Sequence, residues 1–329
     1  MEEKTVAILM ATYNGERFLA QQLNSIISQT YKNWVLLVHD DGSEDGTVDI
    51  LKEYSIKYPE RIIFLNDGLK FGNAKDNFSH LIGIALERNF EYFFFCDQDD
   101  VWIENKIEIF LQRFKGIESS RKDLSILLHS DLKVVDSNLD VISDSMWRYQ
   151  KLNPECKTLN YLLVQNNVTG CACAVNRALL EKAHPIGRKA IMHDWWLSLV
   201  ASAFGVVDFI SKPTVLYRQH EKNDTGAKNV DVRYAIRKFM RKDDLVKSIA
   251  KTVLQAQNFL STFEQCLKPE QKDMLRAYVQ IPYVSYVRKL LTVFRFKLFK
   301  QNFLRNLGFL WYLRYVKEDF YDICDNPNI

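Results

Sequence analysis

The sequence predicts an α/β fold: a mostly parallel sheet flanked by helices, followed by a C-terminal region of helices alone. Three observations carry this prediction. Short apolar runs alternate with amphipathic segments from Val6 to Phe114, at the spacing of βα units. The runs end in polar, acidic turns, as strands do when they open onto a ligand crevice. From Val230 onward only helical periodicity remains. Residues 1–225 are therefore assigned to the α/β part and 226–329 to the helical part, with the polar loop Gln219 to Asn229 as both boundary and candidate flap over a site.

Val6 to Met10 is a buried-strand run that stops at Ala11-Thr12-Tyr13-Asn14-Gly15. Helical spacing follows through Phe18, Leu19, Leu23, Ile26 and Ile27. Trp34 to Val38 is the second strand and ends in Asp40-Asp41-Gly42-Ser43. Ser43 or Asp45 is placed to cap a helix from Thr47 to Tyr58, which Pro59 closes. Arg61 to Leu65 is the third strand, and Lys75 to Arg88 a helix burying Phe78, Leu81, Ile82, Ala85 and Leu86. Tyr92 to Phe95 is the fourth strand, before the acidic run Asp97-Gln98-Asp99-Asp100 and a helix around Lys106 to Phe114. Beyond Leu124 to Leu128 the alternation weakens. Ser130 to Asp144 has hairpin character, Val168 to Val175 strand character and Trp195 to Ala203 helical character. Val206 to Ile210 and Thr214 to Arg218 are expected as two short strands.

The chain has 329 residues, 47% of them hydrophobic and 26% charged, so it can bury a large core, and its net charge of +3 points to no class of partner. No signal-peptide pattern opens the sequence, and no run of about 18 apolar residues suggests a membrane span. Six cysteines are scattered; the pair Cys171 and Cys173 lacks a second pair in zinc-site order and is expected as buried free thiols. There is no G-x-G-x-x-G turn after the first strand and no P-loop, which disfavours a nicotinamide site or a P-loop kinase.

The acidic strand ends carry the functional reading. Ionised carboxylates are too costly to bury unpaired, and several at the end of one strand suit a hard divalent cation that also holds phosphate oxygens. Asp99, with Asp97 or Asp100, is the candidate ligand set. Asp41, beside Gly42, is placed to accept hydrogen bonds from a base or ribose. Asp194, between His193 and the aromatic pair Trp195 and Trp196, has the apolar setting that raises a carboxyl pKa toward that of a general base. Arg218 offers a fork of donors for phosphate, and His220 a ring nitrogen for a cation. Asn166, Asn167, Thr169 and Gly170 form a polar patch suited to sugar contact, as do Trp195 and Trp196. His39, His80, His129 and His184 are expected to be structural or superficial.

Between Tyr286 and Lys317 there are eight Lys or Arg residues and no acidic one until Glu318, interleaved with Phe, Leu, Trp and Tyr. Such helices fit the surface of an anionic bilayer, or else a packing face within the chain or in a homodimer. Nucleic-acid binding leaves Asp41, Asp99 and Asp194 without a role and is not expected. A sugar-binding module without catalysis and a nucleotidyltransferase are the rival classes; the latter would release pyrophosphate.

The combination of Ala11-Thr12-Tyr13-Asn14-Gly15, Asp40-Asp41-Gly42-Ser43, Asp97-Gln98-Asp99-Asp100-Val101-Trp102, His193-Asp194 and Arg218-Gln219-His220, in that order, resembles the family 2 inverting glycosyltransferases of GT-A fold. The Val168-Thr169-Gly170-Cys171 and Tyr217-Arg218-Gln219-His220 variants look like those of bacterial rhamnosyltransferases of polysaccharide synthesis. The resemblance covers roughly residues 5 to 222. It implies a nucleotide-diphosphate sugar donor, held by Thr12, Tyr13, Asn14, Asp41, Asp97 and Arg218. It implies Mg²⁺ or Mn²⁺ on Asp99, Asp100 and His220, and Asp194 as the base that deprotonates the acceptor hydroxyl. L-rhamnose from dTDP-rhamnose is the expected sugar, a UDP-hexose the runner-up. The expected acceptor is a lipid-linked glycan, and the expected location the cytoplasmic face of the plasma membrane. Arg-Gln-His replaces the Gln-x-x-Arg-Trp of processive members, which implies one sugar per encounter.

Overall fold

The computed structural model describes residues 5–119, 123–221 and 242–318. Four strands form a parallel half-sheet: β1 (Val6–Thr12), β2 (Trp34–Asp40), β3 (Ile62–Leu65) and β4 (Tyr92–Cys96). Their crossovers are the helices α1 (Glu16–Ile27), α2 (Thr47–Lys57) and α3 (Ala74–Leu86). The chain steps outward from β1 to β2 to β3, then returns to lay β4 on the opposite side of β1. That reversal opens a crevice between the carboxyl ends of β1 and β4, where open α/β sheets bind ligands.

After β4 come β5 (Val101–Trp102), α4 (Lys106–Glu118), β6 (Ile126–Val135), β7 (Val141–Ser143), α5 (Met146–Gln150) and α6 (Leu159–Val164). Then follow β8 (Cys173–Asn176), α7 (Arg177–Ala183), α8 (His193–Phe204) and β9 (Val206–Arg218). The full order is β3-β2-β1-β4-β8-β6-β9-β5, with β7 paired to β6. This second half is mixed, because β8 runs antiparallel to both β4 and β6 while β9 is parallel to β6.

Alternate residues of the central strands feed two cores, so both sheet faces are covered. Ala7, Leu9, Phe93 and Phe95 join one cluster; Val6, Ile8, Met10, Tyr92, Phe94 and Cys96 join the other. The first core continues without a break into the C-terminal helices α9 (Lys242–Phe263), α10 (Pro269–Val279), α11 (Tyr286–Phe296) and α12 (Phe303–Tyr312). Trp196 of α8, for instance, packs 5.5 Å from Phe259 and 5.9 Å from Phe263. The described part of the C-terminal region is helical throughout, including two short 3₁₀ turns. The expected boundary at residues 225 and 226 lies outside the described residues.

Two expected elements differ. Val206 to Ile210 and Thr214 to Arg218 are one strand, bulged where the register with β6 jumps from Ser130–Ile210 to Asp131–Pro213. Pro213 cannot donate to a ladder, so a bulge is where a strand tolerates it. The strand expected from Val168 begins only at Cys173, because Gly170 to Ala172 form a 3₁₀ turn. Thr47 is held as expected by Asp45, whose Oδ1 accepts its backbone N–H at 3.0 Å, although Gly46 occupies the cap position itself.

The helix that carries Asp194 ends at Gly205, and Val206 then donates its N–H to Ser125 O at 2.9 Å. A Cβ on Gly205 would stand 1.8 Å from that same carbonyl oxygen, a backbone atom that cannot step aside alone. Gly205→Ala should therefore destabilise the protein by about 3 kcal/mol, at the upper end for overpacking, and displace α8. Thermal denaturation that leaves the midpoint unchanged would contradict this packing.

Candidate active site

The turn after β1 is built against the turn after β2. Asp40 folds the latter: its Oδ1 accepts the N–H groups of Gly42 (3.0 Å) and Ser43 (2.7 Å), and its Oδ2 the hydroxyls of Thr12 (2.8 Å) and Ser43 (2.6 Å). Gly42 has φ +86°, a left-handed conformation that favours glycine. Asn14, also left-handed, donates its N–H to Ser43 Oγ at 2.8 Å and accepts that of Glu44 on its Oδ1 at 2.9 Å. Gly15 closes the turn with N–H to Thr47 Oγ1 at 2.8 Å. Of this acidic pair, Asp40 is the scaffold and Asp41 borders the cleft, with Asp41 Oδ1 accepting the N–H of Phe71.

Gln98 ties the β1 turn to the acidic turn after β4. Its Oε1 accepts the N–H of Tyr13 and its Nε2 donates to Tyr13 O, each at 2.9 Å, so one amide mimics a strand pair. A Cβ on Gly15 would lie 2.3 Å from that Oε1, which explains why the turn ends in glycine. The sequence reading passed over Gln98 because amide-to-backbone pairing has no spacing signature.

These turns border an open cleft of about 2200 Å³. Thr12, Tyr13, Asn14, Asp41, Asp97, Asp99, Asn167, Thr169, Asp194, Trp195 and His220 all line it. Tyr13 is 56% exposed and presents its ring there. Lys70, in the loop after β3, also lines the cleft, over Gly42, and was not singled out from sequence because an isolated lysine in a polar loop carries no signal. Lys300, Leu304 and Arg305 close one side from the C-terminal helices. Of the expected flap, Gln219, His220 and Glu221 line the cleft; the remainder lies outside the described residues.

Three expected site residues do not reach it. Trp196 is fully buried, its indole N–H donating to Ala183 O at 3.0 Å, because the helix turns it a hundred degrees away from Trp195 toward the core. Arg218 is buried, and its guanidinium donates to Asp99 O (2.7 Å), Ser137 O (2.6 Å) and Gln21 Oε1 (2.6 Å). It braces the acidic turn rather than offering a fork to phosphate. Asp100 points inward, its Oδ1 accepting the Arg218 N–H at 3.0 Å. It clusters with Asp97 and Cys171, their ligand atoms within 4.8 Å.

The remaining donors separate by depth. Asp99 Oδ2 and His220 Nε2 lie 2.8 Å apart at the cleft wall, a carboxylate and an imidazole whose chemistry suits a divalent cation. In the inner cluster burial pushes both the Asp100 carboxyl and the Cys171 thiol well up. Asp97, desolvated and facing Asp99 and Asp194, is pushed up to about 7.

Asp194 sits in the first turn of α8 and is 7% exposed. Its Oδ1 accepts the Trp195 N–H at 2.7 Å, and its Oδ2 the amide of Asn166 at 3.2 Å. Those bonds and the helix terminus favour the anion, yet burial outweighs them and raises its pKa to about 7. Gly170 lies beneath: a Cβ there would meet His193 Nε2 at 3.1 Å and Asp194 Cβ at 3.8 Å. His193 itself packs 4.0 Å from Phe78, and burial pushes it down to about 3, so it is neutral. Trp195 fixes the helix start by donating its indole N–H to Leu162 O at 2.6 Å.

Residues 7–184 match the family described as Glycosyl transferase family 2. The chain is similar to a dTDP-rhamnosyl transferase, RfbG, of Shigella flexneri, with 32% identity over 66% of this chain and 74% of the relative. It is also similar to WfgD of Escherichia coli, a UDP-Glc:alpha-D-GlcNAc-diphosphoundecaprenol beta-1,3-glucosyltransferase, with 30% identity over 61% and 71%. The fold is shared with S. aureus TarS 1-349, solved with UDP-GlcNAc, at TM-score 0.52 and 16% identity, covering 97% of this chain and 92% of that one. A cleft of carboxylates at the carboxyl ends of a GT-A sheet, in a chain matched over more than half its length, places this protein in glycosyl transferase family 2, as an inverting, metal-assisted, nucleotide-sugar-dependent enzyme of polysaccharide biosynthesis.

Proposed function

We propose that this enzyme moves L-rhamnose from dTDP-rhamnose to a hydroxyl of a lipid-linked glycan, one sugar per encounter, with inversion at the anomeric carbon. The observation that carries the reading is the convergence of Asp41, Asp99 and Asp194 on one cleft. Similarity to a dTDP-rhamnosyl transferase supports the choice of sugar. Similarity to a UDP-glucose-dependent enzyme supports a UDP-hexose donor as the second reading. Related sugars differ by few contacts, so a single side chain can exchange them.

In this reading Thr12, Tyr13 and Asn14 wall the nucleoside pocket and Asp41 accepts hydrogen bonds from the base or ribose. Asp99 and His220 would hold Mg²⁺ or Mn²⁺, which when bound neutralises charge on the departing diphosphate. Asp97 closes the donor side of the cleft floor, and Asn167, Thr169 and Trp195 contact the sugars. Asp194 takes the proton of the acceptor hydroxyl at its carboxylate as that oxygen attacks the anomeric carbon from the face opposite the leaving group. A base whose pKa is near 7 both ionises at neutral pH and holds the proton it receives. Asn166 keeps one oxygen of Asp194 oriented.

The C-terminal helices support a location at the cytoplasmic face of an anionic membrane. Val287, Leu291 and Phe294 of α11 and Phe303, Leu307 and Trp311 of α12 are exposed, while Val293, Phe309 and Tyr312 face the core. Arg288, Arg295 and Lys297 are exposed beside them, whereas Lys289 is buried and donates to Leu313 O and Val316 O. Among the described residues no helix is long and apolar enough to cross a membrane. An apolar stripe flanked by cations fits the bilayer surface; a homodimer contact is the other use for the same stripe.

Three outcomes are expected. Asp194→Asn retains donor affinity while kcat falls at least a thousandfold, and wild-type turnover falls tenfold per pH unit below about 7 as Asp194 takes up a proton; rates independent of pH from 5 to 8, or near-normal Asn turnover, would remove Asp194 as base. Asp99→Ala should make donor binding indifferent to Mg²⁺ and Mn²⁺, measured calorimetrically with each nucleotide sugar; a cation response equal to wild type contradicts its assigned place. Leu291→Asp with Phe294→Asp should lower partition onto anionic vesicles at least tenfold while turnover on a soluble acceptor persists. Undiminished partition would assign the stripe to packing instead.

A further inference from the structure

A cluster beside the cleft is left unused by the transfer chemistry. His39 at the end of β2, Asp67 in the loop after β3 and His80 on α3 bring their ligand atoms within 4.8 Å of one another. His39 Nε2 lies 3.1 Å from Asp67 Oδ1, and His80 Nε2 2.7 Å from Asp67 Oδ2. The two rings thus turn the same nitrogen toward opposite oxygens of one carboxylate, with centroids 5.0 Å apart and planes at 74°.

Asn77 decides what lies between them. Its Oδ1 is 2.9 Å from His39 Nδ1, and its Nδ2 donates to the His39 carbonyl oxygen at 3.4 Å, which fixes the amide's orientation. An amide oxygen only accepts, so His39 carries its hydrogen on Nδ1, and a neutral ring then presents a lone pair at Nε2. A lone pair 3.1 Å from a carboxylate oxygen is repulsive unless positive charge stands between the two. We propose that His39, Asp67 and His80 form a second cation site, taking a divalent ion of the zinc class and distinct from the diphosphate cation.

The donor set fits this chemistry. Imidazole nitrogens favour zinc and its neighbours over Mg²⁺, and a ligating histidine commonly donates its other ring N–H to a carbonyl oxygen, the part Asn77 plays. His39 is buried, whereas His80 and Asp67 have side chains 21% and 34% exposed, so an ion can enter from solvent and keep a water. The rival source of positive charge is a second proton on His39.

Occupancy would reach the cleft through one loop. The Phe71 ring packs 5.5 Å from His39 and 5.1 Å from His80, the Phe71 N–H is donated to Asp41, and Lys70 lies over Gly42. An ion on Asp67 therefore clamps the loop that meets the nucleoside side of the cleft. The inference does not depend on which sugar is transferred.

The test is a Zn²⁺ titration of the chelator-treated full chain against a chromophoric competitor, with excess Mg²⁺ present, repeated with Co²⁺ read by visible absorption. One tight equivalent is expected in wild type and in Asp99→Ala. Affinity should fall roughly 100-fold in His80→Ala and in the volume-conserving His80→Gln, with loss of the Co²⁺ bands. No tight equivalent in wild type, wild-type affinity in both His80 variants, or loss in Asp99→Ala alone would overturn the site and leave the second proton on His39 as the source of charge.

Discussion

The acidic turn after β4 must be held together against its own repulsion, and the rest of the site depends on how that is done. Asp97, Asp99 and Asp100 fall within four residues, at the end of a strand with no exposed face. Arg218 is the brace: its side chain binds the Asp99 carbonyl while its backbone N–H binds the Asp100 carboxylate. Lys106 adds a buried ammonium nearby, donating to Cys171 O at 2.6 Å and packed 3.8 Å over Trp102, with burial pushing its pKa down to about 8. One carboxyl, that of Asp100, is thus turned inward and buried, while Asp99 faces the cleft. Asp97 and Asp194, both raised to about 7, are carboxyls that the folded state holds protonated where the unfolded chain would release the proton. Their burial costs stability progressively as pH rises from the ordinary carboxylate range to about 7.

Much of the architecture was legible because it follows from periodicity. The runs Val6 to Met10 and Tyr92 to Phe95 are apolar at every position, which is what strands covered on both faces require. The carboxylates that end those strands are therefore carried to one edge by the fold, and Asp41, Asp99 and Asp194 meet there. What could not be read was the direction of individual side chains. Asp99 and Asp100 are adjacent and chemically alike, yet one lines the cleft and the other is buried against the Arg218 backbone, a difference set by the turn between β4 and β5. Trp195 and Trp196 part in the same way around a helix. Arg218 was assigned to phosphate because its donors fit phosphate; they fit three protein acceptors equally well, and only the fold decides between them.

Roles that the sequence did not show share a physical cause. Gln98, met only as part of the acidic run, and Asn166, read as a sugar contact, act through amides on partners 85 and 28 positions away, and such bonds leave no trace in local pattern. The bulge in β9 was hidden by Pro213, which in isolation reads as a strand breaker. Pairing of β9 with β6 on both sides of the bulge keeps it one strand and delivers Arg218 to the acidic turn.

The C-terminal helices belong to the same argument rather than to a separate one. Their inner face completes the core around Trp196 and Phe259, and so holds α8, whose first turn presents Asp194. Their outer face is an apolar stripe bordered by cations, and Leu304 lies at the junction, exposed yet also lining the cleft. Lys300 and Arg305 stand at that same edge, Arg305 anchored to the carbonyl oxygens of Gln150 and Lys151. The first of these helices, α9, therefore holds the helix of the proposed base, and the later residues Lys300, Leu304 and Arg305 set the border between the cleft and the surface proposed to meet the bilayer. The proposed lipid-tethered glycan would have to cross that border to bring its hydroxyl to Asp194, so in that reading the packing of α12 bears on which acceptors can reach the proposed base, along with the cleft residues.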